Sequence, residues 1–174
     1  MKNIKLFLTD IDGVWTDGGM YYDNHGNEMK KFNTSDSAGV LFLRSMDIPV
    51  GMITGEDTEI VRRRAQKLKI DMLYMGVKDK LAIMKMICEE KQLEFSEVAY
   101  IGDDLIDIPV MDVVGLSAVP ADTPDYVSVH ADWVLKKRGG EGVFREFVER
   151  YLSGRGLLDE AIDKYLKMIK GLKS

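Results

Sequence analysis

The sequence predicts an α/β fold in which one parallel sheet lies between two layers of helices. Short runs of β-branched and other apolar residues recur along the chain, and segments with helical spacing of apolar residues separate them. Strands that alternate with helices in this way pair in parallel, with the helices covering the sheet. We therefore predict a Rossmann-like sheet that is sandwiched by helices.

Six segments are predicted to be strands because they are short and rich in β-branched or apolar residues. They cover residues 4–9, 50–53, 72–74, 98–101, 115–118 and 132–135. The helical patterns between and after them cover residues 37–46, 58–68, 79–91, 104–112 and 142–152.

One segment interrupts this alternation. Two strand-like arms flank the polar turn Asn24-His25-Gly26-Asn27, a pattern typical of a β-hairpin. We expect this hairpin over residues 19–32, inserted after the first strand. No other insertion is predicted, so the fold has no large cap domain.

The C-terminal part of the chain forms a separate segment in this interpretation. The core domain is predicted over residues 4–152, and a hinge-like break at residues 153–156 opens a tail over residues 153–174. Apolar residues recur at helical spacing in the tail. Such a helix must pack on its own domain or on a neighbouring subunit.

Composition excludes several classes of partner. The chain has 174 residues and a formal net charge of −5, which provides no basic field for nucleic acid or for an anionic membrane. An anionic substrate would need locally placed cations or a metal ion. The lone cysteine, Cys88, fits a reducing compartment. No secretory signal or membrane span is evident, so we expect a cytoplasmic protein.

Two acidic clusters follow predicted strands. Asp10 and Asp12 come directly after the first strand, and Asp103 follows the strand over residues 98–101. Ligands of open α/β sheets bind beyond the carboxyl ends of the strands. Carboxylates gathered there would repel one another unless a hard divalent cation joined them, and oxygen ligands suit Mg²⁺. Taken alone, an Asp-Asp pair such as 103–104 would be a helix N-cap.

Two further candidates lie near the same predicted edge. Thr54 and Gly55 follow another strand, where a hydroxyl group and free backbone amides can bind phosphate oxygens. Lys80 stands at the start of a predicted helix, where a cation interacts unfavourably with the helix dipole. Each also has an ordinary explanation, as a strand-to-helix turn or as a solvated lysine.

The order of these motifs resembles that of the haloacid dehalogenase superfamily of phosphatases. The resemblance runs from about residue 4 to residue 152 and rests on Asp10-Ile11-Asp12-Gly13, Thr54-Gly55, Lys80 and Gly102-Asp103-Asp104-Leu105-Ile106-Asp107. Residues 9–18, the hairpin and residues 139–146 are similar to the capless branch of that family. This branch acts on phosphates of 2-keto-3-deoxy sugar acids, including 3-deoxy-manno-octulosonate (KDO) 8-phosphate and 2-keto-3-deoxynononate (KDN) 9-phosphate.

The resemblance implies a role for each motif. Asp10 would attack phosphorus, and Asp12 would act as general acid and then as general base. Magnesium would be held by Asp10, the Asp12 carbonyl and Asp103, with Asp104 or Asp107 supporting these ligands. The phosphoryl oxygens would be bound by Thr54, Gly55 and Lys80.

The resemblance also implies how the leaving group is recognised. The candidates are Glu56, Arg64 and Lys67, because their helix begins beside Thr54. Arg64 and Lys67 share a helix face, and two cations suit a sugar-acid carboxylate. A solvated helix face is the alternative interpretation. Since a capless site is open to water, the branch closes it by forming tetramers, and we expect a homotetramer.

Two features of the chain disagree about the length of the sugar. Glu56 resembles the nine-carbon enzymes, whereas residues 102–111 and the extended tail resemble the eight-carbon enzymes. We predict KDN 9-phosphate as the substrate because Glu56 would touch it, with KDO 8-phosphate as the alternative. A phospho-receiver signalling domain is a remote alternative, since no lone aspartate ends the strand over residues 50–53.

Overall fold

The structure is a computed structural model that describes residues 2–171. Its strands are β1 (Leu6–Thr9), β2 (Tyr21–Tyr22), β3 (Glu28–Met29), β4 (Val50–Ile53), β5 (Met72–Tyr74), β6 (Val98–Ile101), β7 (Leu116–Val119) and β8 (Trp133–Val134). Its α-helices are α1 (Asp36–Ser45), α2 (Glu59–Leu68), α3 (Lys80–Lys91), α4 (Ile108–Met111), α5 (Asp125–Ser128), α6 (Val143–Gly154) and α7 (Leu158–Gly171).

Six of the strands form one parallel sheet in the order β5-β4-β1-β6-β7-β8. The central strand β1 pairs in parallel with β4 on one side and with β6 on the other. The chain therefore builds one half of the sheet outward from β1 and then returns to build the other half. The strand order reverses between β1 and β6, which is where ligands of such sheets bind. The predicted parallel α/β fold is confirmed.

Alternate side chains of β1 face two different apolar layers, as the period of a strand requires. Phe7 faces the layer beneath α1, α2, α6 and α7, where its ring meets Phe147 and Tyr151 edge-on at 5.3 Å. Leu6 and Leu8 face the opposite layer, which α3, α4 and α5 cover. All four residues of β1 are buried. The sheet is thus covered on both faces, and its carboxyl edge is left for the site.

The predicted elements agree with the structure except in one helix. The segment 104–112 was expected to be one helix, but it forms a 3₁₀ turn, Leu105–Asp107, followed by α4. Pro109 stands in the first turn of α4. Proline lacks the N–H that a continuous helix would require there, so a new helix begins instead. The four-residue helix α5 was not predicted, because so short a segment carries no periodicity.

The predicted hairpin is present and is fastened to the loop that follows β1. Strands β2 and β3 pair antiparallel, with Tyr21 opposite Met29. A bridge between Thr16 and Phe32 continues the pairing toward the sheet. The hairpin therefore begins in the acidic loop itself.

The tail helix α7 packs on its own chain. Ala161 is completely buried against α1 and α6, and its carbonyl accepts a hydrogen bond from Ser45 Oγ at 3.0 Å. Phe42 and Tyr165 meet edge-on at 6.3 Å. The predicted domain boundary after residue 152 stays a prediction, and residues 172–174 of the tail lie outside the described residues. Over residues 2–171, no helix has the length and apolar character that crossing a bilayer requires.

Candidate active site

The site lies at the carboxyl edge of the sheet, in a cleft of about 300 Å³ between the ends of β1, β4 and β6. Six of the predicted site residues line this cleft: Asp10, Asp12, Thr54, Gly55, Glu56 and Asp103. Another cleft, of about 430 Å³, opens near Arg44 and Lys69 and contains none of the predicted residues. The chemistry is therefore concentrated in the smaller cleft.

Asp10 is held by an extension of the sheet and by the core beneath it. Its backbone N–H donates to the carbonyl of Ile101 at 2.9 Å, so the β1–β6 pairing continues to residue 10. Thr9 Oγ1 donates to the Asp10 carbonyl at 2.7 Å and accepts from Trp15 Nε1 at 3.0 Å. Trp15 is buried and stacks on Phe144 at 4.8 Å. The backbone of Asp10 is thus fixed by buried polar contacts.

Gly13 lets the two acidic clusters meet. Its φ of +79° lies in the left-handed region, which favours glycine. A Cβ atom at this position would stand 1.9 Å from Oδ2 of Asp103. Because glycine has no side chain, the loop after β1 can close directly over the Asp103 carboxylate.

Lys80 lies between two aspartates and is not solvated. Its ammonium group contacts Asp10 Oδ1 at 2.8 Å and Asp107 Oδ1 at 2.7 Å, and its side chain has no exposed surface. Burial acts to lower the pKa of Lys80, but the charges of Asp10 and Asp107 outweigh burial and raise it. The solvated-lysine interpretation of the sequence is wrong.

Asp107 organises the second acidic cluster. Its Oδ1 accepts from Lys80 and from the Tyr100 hydroxyl at 2.5 Å. Its Oδ2 accepts from the backbone amides of Asp103 and Asp104 at 2.9 and 3.0 Å. Since both oxygens are engaged, Asp107 orients the residues around it.

The carboxylates present suit a metal ion. Oxygen atoms of Asp10, Asp103 and Asp107 lie within 4.8 Å of one another. Oδ1 of Asp103 is buried and has no hydrogen-bond partner, an arrangement that is costly for a carboxylate. A hard divalent cation would supply the missing partner. Both oxygens of Asp107 are engaged, whereas only Oδ1 of Asp10 contacts Lys80, so Asp10 and Asp103 are the side chains best placed to bind the ion.

Burial and the charges of neighbouring carboxylates raise the pKa values of Asp10 and Asp103. Burial raises the pKa of Asp10 to about 7, with Lys80 opposing the shift and Asp107 adding to it. Burial, together with the charges of Asp10 and Asp107, raises the pKa of Asp103 to about 8. Lys80 alone therefore does not offset the negative charge of this cluster.

Thr54, Gly55 and Glu56 form the opposite wall of the cleft. Thr54 is buried, and its N–H donates to the carbonyl of Tyr74 at 2.9 Å. Its hydroxyl oxygen accepts from the Glu56 N–H at 3.3 Å. This is a strand-to-helix turn, as the ordinary interpretation expected, and it also borders the acidic cluster.

Asp12 is bound by a residue that the sequence did not suggest. Lys30 Nζ, on the returning arm of the hairpin, contacts both carboxylate oxygens of Asp12 at 2.7 Å. Thr16 Oγ1 donates to Asp12 Oδ1 at 3.2 Å. The side chain of Asp12 nevertheless keeps 28% of its surface exposed, so it remains open to the cleft.

Arg64 and Lys67 lie outside this cleft within one chain. The guanidinium of Arg64 lies over the rings of Trp15 and Phe32, at 5.7 and 5.6 Å from their centroids, and donates to the Asn33 carbonyl at 3.1 Å. Lys67 is exposed in the last turn of α2, about 10–15 Å along the helix from its start. Glu56 alone of the three predicted leaving-group residues lines the cleft.

Gly18 and Ile106 line the cleft and were given no role from the sequence, whereas Asp104, which also lines it, was expected to support the metal ligands. Asp104 also accepts from the N–H of Leu105 at 2.7 Å and so caps the 3₁₀ turn, which was the alternative considered for the Asp-Asp pair. Lys30 could have been suspected from strand alternation, because it shares a face with Phe32.

Comparison with known proteins gives one consistent result. A family model described as haloacid dehalogenase-like hydrolase matches residues 56–147. The chain is 41% identical over 160 residues to the 3-deoxy-D-manno-octulosonate 8-phosphate phosphatase KdsC of Escherichia coli (strain K12), which covers 92% of this chain and 85% of that protein.

Solved structures agree with this match. The fold is similar to 3-deoxy-D-manno-octulosonate 8-phosphate phosphatase from Yersinia pestis, with a TM-score of 0.88, 40% identity and coverage of 91% of this chain and 85% of that chain. It is also similar to the Moraxella catarrhalis phosphatase in complex with magnesium ion, phosphate ion and KDO, with a TM-score of 0.90, 33% identity and coverage of 94% of each chain.

Proposed function

The chain belongs to the haloacid dehalogenase-like hydrolases and is a phosphoric monoester hydrolase, and on this premise we propose that it removes phosphate from a 2-keto-3-deoxy sugar acid through an aspartyl-phosphate on Asp10. The observation that carries the proposal is the buried contact of Asp10 with Lys80 at the switch point of the sheet. A carboxylate held there can reach a phosphate bound in the cleft.

Asp10 and Asp12 divide the chemistry between them. A carboxylate oxygen of Asp10 attacks phosphorus, and the bond from phosphorus to the sugar oxygen breaks. Asp12, which lines the same cleft, gives a proton to the departing oxygen, and general acid help of this kind contributes about 10²–10⁴ in rate. Asp12 then takes a proton from the water that attacks the aspartyl-phosphate, which releases phosphate and restores Asp10.

The remaining cleft residues bind and neutralise the phosphoryl group. Thr54 offers its hydroxyl, and Gly55 borders the cleft with its backbone. Lys80 places a buried positive charge beside Asp10, where it opposes the negative charge on the phosphoryl oxygens. These donors are already fixed by the fold, so little reorganisation is needed when phosphate binds.

A metal ion completes the proposed site. Asp10, the Asp12 carbonyl and Asp103 would hold Mg²⁺, and the unpartnered Oδ1 of Asp103 supports this ligand set. When bound, the ion would neutralise carboxylate charge and polarise the phosphoryl oxygens. Asp107 would keep Asp103 in place through the hydrogen bond that its carboxylate accepts from the Asp103 backbone N–H.

We propose KDO 8-phosphate as the substrate. Its support is the similarity to phosphatases of that name, at 41% identity for the Escherichia coli protein. This choice reverses the nine-carbon prediction made from Glu56. KDN 9-phosphate remains the second candidate for one reason, since the Glu56 predicted to contact the leaving group does line the cleft.

We also propose a homotetramer in which the hairpin makes contacts between subunits. Four apolar residues of the hairpin are exposed in the single chain: Met20, Tyr21, Tyr22 and Met29. Exposed apolar groups gathered on one element are typical of an interface. Arg64 and Lys67 would contribute to recognition only across such an assembly, because they do not line the cleft of their own chain.

A panel of phosphorylated sugar acids tests the proposed function. We expect the highest kcat/KM for KDO 8-phosphate, with KDN 9-phosphate measured beside it and simple hexose phosphates as controls. The Asp10→Asn variant should lose turnover of every substrate while keeping the thermal midpoint of a folded protein. Turnover by Asp10→Asn near that of the unmodified chain would exclude the aspartyl-phosphate, and a preference for hexose phosphates would exclude the sugar-acid substrate.

A further inference from the structure

Lys30 makes an unusual contact for a hairpin lysine. Its ammonium group is 2.7 Å from each carboxylate oxygen of Asp12, and its side chain has no exposed surface. A buried ammonium group is costly unless it is paired and hydrogen-bonded. The pairing with Asp12 is therefore what holds Lys30 in this position, and Lys30 in turn restricts how the Asp12 carboxylate can turn.

The pleat of the returning arm explains why Lys30 faces inward. Glu28, Lys30 and Phe32 alternate along the strand with Met29 and Lys31. Met29 and Lys31 are exposed, whereas the other three residues are partly buried. The Thr16–Phe32 bridge anchors the arm to the acidic loop. A one-residue change of register would turn Lys30 to solvent and present Lys31 to Asp12 in its place.

Two groups thus hold the Asp12 carboxylate from the hairpin side. Thr16 Oγ1 donates to Oδ1 at 3.2 Å, and Lys30 binds both oxygens. A carboxyl group that exchanges a proton with the leaving oxygen uses one of its oxygens for that exchange. The contact between Lys30 and the other oxygen can then keep the Asp12 carboxyl group oriented.

We infer that Lys30 is a positioning residue for leaving-group departure: it holds the Asp12 carboxylate in the orientation from which Asp12 serves the leaving oxygen. The inference rests on the proposed acid role of Asp12. It makes the hairpin part of the reaction machinery, in addition to any contact it makes between subunits.

Leaving groups of different acidity test this role. Poor leaving groups need the proton from Asp12, whereas 4-nitrophenolate departs without it. For Lys30→Met, we expect kcat/KM to fall about 10- to 100-fold with an alkyl phosphate and far less with 4-nitrophenyl phosphate, since general acid help is worth about 10²–10⁴. The slope of log kcat/KM against leaving-group pKa, measured over a series of aryl phosphates, should become steeper.

Lys31→Met is the matched control. It removes the same charge from the adjacent position, where the Lys31 side chain is 67% exposed, and it should leave the slope unchanged. Thermal unfolding should confirm that each variant is folded, with Lys30→Gln used if Lys30→Met does not fold. Lys30→Arg keeps the cation and should restore most of the activity toward the alkyl phosphate.

Asp12→Asn separates this inference from the assignment on which it rests. Asp12→Asn should steepen the slope of log kcat/KM against leaving-group pKa. Adding Lys30→Met to Asp12→Asn should cause little further loss of kcat/KM, because the effects of substituting residues that act as a unit are not additive. An unchanged slope in Lys30→Met, or an equal loss for all leaving groups, would overturn the inference while leaving Asp12 in its role. An unchanged slope in Asp12→Asn would overturn both.

Discussion

Burial is the main cause of the raised pKa values of Asp10, Asp103 and Asp36, but these groups lie in different surroundings. Asp10 and Asp103 belong to a cluster of like charges at the site. Asp36, by contrast, starts α1 away from the cleft, where Oδ1 accepts from the Arg145 N–H at 3.0 Å and Oδ2 is buried without a partner. Burial raises the pKa of Asp36 to about 6. Asp36 therefore caps the first turn of α6 through Oδ1. When its carboxylate is charged, Oδ2 lacks a hydrogen-bond donor.

The raised pKa of Asp36 sets the sign of a pH effect on stability. The folded chain holds this proton up to about pH 6, while the ordinary pKa of an aspartate is 3.8. The folded state thus binds more protons between these pH values, and stability is lost as pH rises through them. Asp36→Asn should remove that loss and raise the free energy of unfolding by about 1–3 kcal/mol at pH 8.

Urea denaturation of Asp36→Asn at pH 5 and pH 8 measures this effect. The increase in the free energy of unfolding caused by Asp36→Asn should be smaller at pH 5, where Asp36 is mostly protonated. Exposed Asp163 offers the matched control, since Asp163→Asn should change the free energy of unfolding by less than about 0.5 kcal/mol at either pH. An equal effect of Asp36→Asn at both pH values would contradict the assignment of the pH dependence to Asp36.

Glu56 decides between sugar lengths if it contacts the leaving group. It is the one predicted leaving-group residue that lines the cleft. Glu56→Arg should raise the ratio of kcat/KM for KDO 8-phosphate to that for KDN 9-phosphate by roughly tenfold, which corresponds to about 1.4 kcal/mol. Asp57→Arg makes the same charge change at the next residue, outside the cleft lining, and should leave the ratio unchanged. If both variants shift the ratio equally, only net charge matters and Glu56 is not a discriminator.

The tail helix α7 contributes to stability more than to chemistry within one chain. Its buried residue Ala161 packs against α1 and α6, and none of the residues that line the cleft belongs to α7. Ala161→Glu would place an unpaired charge at this contact, and we expect the free energy of unfolding to fall by about 3 kcal/mol or α7 to detach. Circular dichroism during urea denaturation would measure the loss, with exposed Lys164→Glu as the control.

Activity of the same variant locates the role of the tail. If α7 only covers the core of its own chain, folded Ala161→Glu should keep kcat/KM within about threefold, because its substitution does not touch the cleft. A large loss of activity in a folded variant would instead indicate that the tail helps to form the site. That outcome would also argue against the predicted boundary after residue 152.

The elements of the sheet could be predicted because their patterns are local. Apolar runs followed by acids identify the carboxyl ends of β1 and β6, and the parallel pairing of these strands then brings Asp10 and Asp103 together. Lys30 escaped prediction because its partner is 18 residues away across a hairpin whose register the sequence does not specify. The contact of Arg64 with Trp15 within one chain was not evident from the sequence for a similar reason, since only the tertiary fold brings Trp15 beneath the guanidinium.

At the scale of the whole molecule, the site stores unfavourable charge that a cation would relieve. Asp10, Asp103 and Asp107 face one buried ammonium, that of Lys80. The raised pKa values, about 7 for Asp10 and about 8 for Asp103, mean that the folded state holds extra protons until those pH values are passed. Without metal, stability should therefore fall as pH rises from about 4 to about 8.

Magnesium should reverse this trend, because it takes the place of the protons. Metal affinity rises with pH when binding displaces protons from its ligands. At a hundredfold excess over Kd, binding to the folded state raises Tm by about 5–10 °C for a chain of this size. The difference in Tm between samples with Mg²⁺ and with EDTA should consequently be larger at pH 8 than at pH 6.

Thermal scans of Asp103→Asn and Asp163→Asn complete the argument. Asp103→Asn removes the carboxylate whose buried Oδ1 has no partner. The variant should therefore lose most of the rise in Tm caused by Mg²⁺ and most of the pH dependence of that rise. Asp163→Asn removes an exposed carboxylate and should keep both. A Mg²⁺ effect that is independent of pH, or that survives intact in Asp103→Asn, would mean that the ion binds elsewhere and that the acidic cluster is not the metal site.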